Sequence, residues 1–75
     1  MANPGQSLER KQLAERIKAA IDMLPEDQRT AVVLREIQGL SYKEIAETMG
    51  CAEGTVMSRL YYGRKKLQQI LKDAR

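Results

Sequence analysis

Histidine, tryptophan and phenylalanine are absent from this 75-residue chain, and cysteine occurs once. With no histidine and only Cys51, the chain has almost no ligands for a structural zinc ion and cannot close an intrachain disulfide. Those gaps fit a reducing, cytoplasmic setting and call for no metal or other cofactor. A core without Trp or Phe has to be built from Leu, Ile, Val, Met and Ala, a set that favours helices over strands. No apolar run approaches the roughly 20 residues of a membrane span, and Met1 to Gln6 lacks the apolar segment of a signal peptide. There is no glycine-rich phosphate loop and no convergent pair of carboxylates on one face, so no enzyme is expected.

Acidic residues are missing from one interval in particular. None occurs between Glu53 and Asp73, where Arg59, Arg64, Lys65, Lys66 and Lys72 fall. From Met1 to Leu40 six basic residues balance six acidic ones. From Ser41 to Arg75 seven basic residues face four acidic, so the net charge of +3 lies in the second half. A basic segment of this kind is an electrostatic footprint for a polyanion, although a basic run alone also suits a solvated helix face.

The residues that are present predict a single small all-α domain of four helices, with a C-terminal helix-turn-helix and the long recognition helix last. Residues 1–6, MANPGQ, are small and polar and read as a disordered end or linker remnant, so that the domain spans 7–75. Ser7 is expected to cap a first helix whose stripe is Leu13, Ile17, Ala20, Ile21 and Leu24. Pro25 separates it from a second helix running to about Gln38, with Val33, Leu34 and Ile37 in the core and Gly39 closing it in a left-handed conformation. Leu8 and Val32 are expected on the surface, where they suit a protein partner as well as solvent.

Ser41 and Glu44 then form a capping box, which fixes the start of a two-turn third helix carrying Tyr42, Ile45, Ala46 and Met49 inward. Gly50 and Cys51 make the turn, and Cys51 reads as an inert, small apolar residue. A fourth helix from about Ala52 or Glu53 repeats Val56, Leu60, Gly63, Leu67 and Ile70 at steps of four, three, four and three, a continuous seam. Gly63 on that seam costs roughly 1 kcal/mol relative to Ala in a helix interior, which points to close packing against another helix.

With those elements in place, LPEDQRTAVVLREIQGLSYKEIAETMGCAEGTVMSRLYYGRKKL resembles region 4 of a bacterial sigma factor of the extracytoplasmic-function group. The likeness rests on Leu24-Pro25 with Arg29, the Gly39-Leu40-Ser41-Tyr42 step, Glu44-Ile45-Ala46, Gly50, Gly54-Thr55-Val56, Ser58-Arg59-Leu60 and Arg64-Lys65-Lys66-Leu67. It extends from about Leu24 to Leu71. The resemblance implies binding of the −35 promoter element in the major groove, contact with the β flap of the RNA polymerase core, and control by an anti-sigma factor. It also implies that the chain is one domain of a longer factor, monomeric on its own. Two departures stand out: Ala52 replaces the serine that often caps the recognition helix, and Met57 and Tyr62 replace residues that are often basic.

One helix fits the major groove, its first half reaching base edges while flanking groups hold phosphates. On that logic Met57, Ser58, Tyr61 and Tyr62 are the base-edge candidates, and Lys43, Thr55, Arg59, Arg64, Lys65 and Lys66 the phosphate candidates. Tyr42 either packs or reaches a phosphate through its hydroxyl. Two other classes stay open at this point: a LuxR-type helix-turn-helix regulator acting as a dimer, and a helical module that binds protein only.

Overall fold

The computed structural model describes residues 4–73. Four α-helices and one π-helical turn account for nearly all of them: α1 (Pro4–Asp22), α2 (Glu26–Val32), the π-turn (Val33–Ile37), α3 (Tyr42–Met49) and α4 (Glu53–Asp73). No strand occurs among the described residues, and the all-α architecture with a terminal helix-turn-helix is as expected.

The first helix differs from its sequence reading. It begins at Pro4, a residue suited to a first helical turn, so Ser7 lies inside the helix and does not cap it. The supposed unstructured end is therefore helical from Pro4 to Gln6, and its remainder, Met1 to Asn3, lies outside the described residues. Of the stripe, Ala20, Ile21 and Leu24 are buried, whereas Leu13 is 54% exposed and Ile17 is also exposed. At 1.5 Å per residue α1, with 19 residues against seven, is roughly three turns longer than α2.

Pro25 stands at the N-cap of α2 with extended geometry, and Glu26 and Asp27 follow where the helix dipole favours negative charge. The second helix then widens. Gln38 donates its amide to the Val33 carbonyl at 3.1 Å, five residues back, which is the π-helical spacing. That wider turn shifts the register, so Ile37 ends 66% exposed and Val33 and Leu34 are only half-buried. The face that enters the core is instead Ala31 and Val32; Val32, expected on the surface, is 1% exposed. Gly39 closes the segment at φ +72°, with the Leu40 amide bonded back to Leu34 at 3.0 Å.

The helix-turn-helix follows its sequence closely. Glu44 donates its amide to Ser41 Oγ at 3.1 Å, and the Ser41 amide donates to Glu44 Oε1 at 2.9 Å, the reciprocal pair of a capping box. Gly50 ends α3 at φ +68°, a left-handed conformation in which a Cβ would be strained. Ile45, Ala46, Val56 and Leu60 bury their side chains together with Ile21, Leu24, Ala31 and Val32, forming one core between the first two helices and the last two. Gly63 is where α2 and α4 approach most closely. A Cβ there would meet Val32 Cγ2 at 2.9 Å and Gln28 Cβ at 3.4 Å, which accounts for a glycine in a helix interior.

Candidate nucleic-acid interface

Docking of the seam on the core decides what the rest of α4 can do. At about 100° per residue, Val56, Leu60, Gly63, Leu67 and Ile70 occupy an arc of roughly 80°. Met57, Tyr61, Ser58 and Tyr62 then fall within an arc of about 140° on the far side, with Lys65 near its middle and Thr55 and Lys66 at its edge. All seven are exposed. Tyr61 and Tyr62 meet edge to face, their ring centroids 5.1 Å apart at 84°, an arrangement that restricts both rings. A groove of about 420 Å³ runs from the start of α3 along this face, lined by Tyr42, Met57, Tyr61, Arg64 and Lys65. Lys43, exposed on the first turn of α3, carries the basic surface across the turn.

Two of the six phosphate candidates are placed differently from the others. Arg59 is half-buried: its Nη2 lies 3.6 Å from Asp27 Oδ2, and its Nη1 lies 3.7 Å from Cys51 Sγ and 4.0 Å from Met49 Sδ. It spans from the N-terminus of α2 to the turn. Arg64 donates from Nε to Glu36 Oε1 at 2.9 Å and from Nη2 to the same oxygen. Hydrogen bonding to Glu36 raises the affinity of Arg64 for its proton still further, with Tyr42 a lesser contributor in the same direction. Tyr42 is half-buried and packs: the Arg35 guanidinium lies over its ring at 5.0 Å while donating to the Leu40 carbonyl at 2.9 Å.

Asp27 had only the role of complementing the dipole of α2 in the sequence reading, and Glu36 and Arg35 had none. Their partners lie 32, 28 and 7 residues away, and only the fold brings the first two pairs together. Glu44, by contrast, was legible from its spacing. The hydrogen bond from the Ser41 backbone, followed by that with the Ser41 side chain, holds its carboxyl below the usual carboxylate value.

The sigma-70 region 4 family model matches residues 14–67. The chain belongs to the sigma-70 region 4 family. This region 4 chain is 46% identical over 69 residues to the ECF RNA polymerase sigma factor SigE of Mycolicibacterium smegmatis, covering 92% of the chain and 27% of that protein. It is 42% identical over 76 residues to the RNA polymerase sigma-H factor of Pseudomonas aeruginosa, covering 96% and 39%. Among solved structures it resembles the sigma factor RpoE of Bartonella quintana, crystallised in complex with the anti-sigma factor NepR. That match has a TM-score of 0.73 and 43% identity, and covers 80% of this chain and 38% of that one. The chain thus spans between about a quarter and two fifths of the length of the curated relatives it matches. Membership in the sigma-70 region 4 family decides against the LuxR-type alternative.

Proposed function

We propose that this region 4 chain reads the −35 element of promoters within a longer extracytoplasmic-function sigma factor and thereby directs RNA polymerase to them. The observation that carries the reading is the outward arc of α4. Val56, Leu60 and Gly63 on the opposite arc are buried in the core, while Met57, Ser58, Tyr61 and Tyr62 are exposed on a face that holds Lys65 and Lys66, with no acid in α4 between Glu53 and Asp73. Ser58 can donate to or accept from a base edge, and Met57, Tyr61 and Tyr62 offer apolar surface to a thymine methyl. Lys43, Thr55, Lys65 and Lys66 hold phosphates on either side; Arg59 and Arg64 already hold carboxylates.

The role is non-catalytic and cytoplasmic, and the isolated domain acts as a monomer on one site. Its protein partners are the β flap of the polymerase core and an anti-sigma factor; the crystallised pairing of Bartonella RpoE with NepR supports the second. Direct binding tests the reading. A short duplex bearing an extracytoplasmic-type −35 sequence binds in preference to a shuffled duplex, and affinity falls steeply as salt rises. Equal affinity for both, or no binding at low salt, contradicts it and favours a module that binds protein only.

A further inference from the structure

The two arginines of α4 are placed symmetrically about its buried seam. At about 100° per residue, Arg59 lies roughly 60° to one side of the seam's centre and Arg64 roughly 80° to the other. Each meets an acid from the preceding helical segment: Arg59 meets Asp27 at the start of α2, and Arg64 meets Glu36 in the π-turn that follows. Both arginines stand at the margins of the outward arc, Arg64 about 20° from Met57 and Arg59 about 20° from Lys66, and not at its middle with Ser58 and Lys65. An apolar seam of Val, Leu and Gly resists translation of the helix away from the core but resists rolling much less, because dispersion contacts have little directionality. Ion pairs on both flanks resist a roll in either direction.

We propose that Arg59 and Arg64 are positioning residues, held by Asp27 and Glu36, which fix the rotation of α4 about its own axis and so decide which side chains reach the bases. This rests on the reading of the outward arc as the DNA-facing surface. A roll of about 20° would exchange the place of Ser58 with that of Lys65, since neighbouring positions on the arc lie only about 20–40° apart. The π-turn belongs to the same device. Its wider spacing turns Ile37 out to solvent, while Glu36 reaches Arg64 and the adjacent Arg35 covers Tyr42 at the start of α3. Two consecutive residues of the π-turn therefore hold both helices of the helix-turn-helix.

The pairs are partly exposed, with side-chain exposures of 26% and 71% for Arg59 and Asp27 and 46% and 49% for Arg64 and Glu36. Their effect accordingly falls on discrimination more than on stability. The alternative is that both arginines leave their carboxylates for DNA phosphates. The two accounts differ in sign. Asp27→Asn and Glu36→Gln each remove a negative charge without touching α4 or the core. If the arginines serve phosphates, these variants bind both the −35 duplex and a shuffled duplex more tightly, and the preference between them stays as it was. If the arginines position the helix, the preference falls, by about two- to fivefold per pair.

Fluorescence anisotropy of the 75-residue chain with the two duplexes, over a range of salt, reads both quantities. For Arg64→Ala the proposal expects the same loss of preference and an unchanged salt slope; a slope smaller by about 0.9 with preference intact marks a phosphate ligand and overturns it. The charge-swapped pair, Glu36→Arg with Arg64→Glu, recovers most of the preference lost in Arg64→Ala if the pair is a brace. It binds worse than Arg64→Ala if a phosphate has to meet position 64. Lys65→Ala serves as the contrast, weakening both duplexes alike and lowering the slope by about 0.9. Should the unaltered chain show no preference at all, the reading of α4 itself fails. Should it show a preference that the four clamp variants keep, only the brace fails.

Discussion

The first and last helices carry the same apolar period and meet different fates. In α4 the seam is buried from Val56 through Leu60 to Gly63 and remains partly covered at Leu67 and Ile70. In α1 Ala20, Ile21 and the adjoining Leu24 are buried, and the earlier members of the stripe, Leu13 and Ile17, are exposed, Ile17 beside Ile37 of the π-turn. Periodicity states which face a helix would bury; burial needs an element long enough to cover it. α2 has seven residues and α3 eight, and between them they cover α4 at its N-terminal half and α1 only at its C-terminal end.

Truncating one residue from each stripe breaks that contrast most strongly. Leu60→Ala removes a side chain 2% exposed at the centre of the core and should cost about 2–5 kcal/mol in urea denaturation. That is most of the stability of a domain this size, so a large unfolded fraction is expected even without urea. Leu13→Ala should stay within about 0.5 kcal/mol of the parent. Equal losses would mean that the first half of α1 is covered in solution. Gly63→Leu comes next. It forces atoms into Val32 and Gln28 where a Cβ alone already meets a methyl at 2.9 Å, and should cost about 1–3 kcal/mol, read in the same assay. No loss would show that α2 and α4 stand further apart than described.

Smaller effects sharpen the comparison at the helix ends, since α3 has a complete capping box and α4 begins after Ala52, which has no side-chain oxygen to offer. Ala52→Ser should stabilise the chain by about 1 kcal/mol, seen as a raised thermal midpoint; an unchanged midpoint would mean the turn already satisfies the first amides of α4. The capping box also titrates. Because the folded state lowers the Glu44 pKa, the ionised carboxylate contributes its full stability above the unfolded value. That contribution is lost as pH falls through the lowered folded value. Glu44→Gln should therefore flatten the acid limb of the stability curve below about pH 5, where glutamate begins to protonate. Parallel curves for the two proteins would remove Glu44 from the account.

What could be read from the sequence was whatever depends on near neighbours. The reciprocal bonds of Ser41 and Glu44 follow from a three-residue spacing. Gly39, just past the last residue of its helix, marks a left-handed closing position, Gly50 marks the break before the turn, and Gly63 on an apolar seam announces a close contact before the contact is known. The HTH arc, from Met57 to Lys66, followed from period alone once the seam was identified. Ile37 was expected in the core and is exposed because one π-helical turn shifts the register after Val32, and nothing in VVLREI announces the extra residue; Val32, before that turn, is buried against Gly63. The start of α1 was placed four residues late, at Leu8 after a Ser7 cap, because Ser7 and Pro4 both suit a helix N-terminus. Arg59 and Arg64 looked like two more cations on a basic helix. Their carboxylate partners come from a helix and a turn some 30 residues earlier, and no local pattern links them.

The central claim is that DNA meets the outward arc of α4 and not the exposed surface of α1, where Arg10, Lys11, Arg16 and Lys18 are interleaved with Glu9, Glu15 and Asp22. Amide chemical shifts of the labelled chain, followed while the −35 duplex is added, test it most directly. The account expects the changes to concentrate at Lys43 and from Thr55 to Lys66, with Leu8 to Ile17 unmoved. Shifts that gather instead along Leu8 to Lys18, leaving Ser58 and Tyr61 in place, would contradict it.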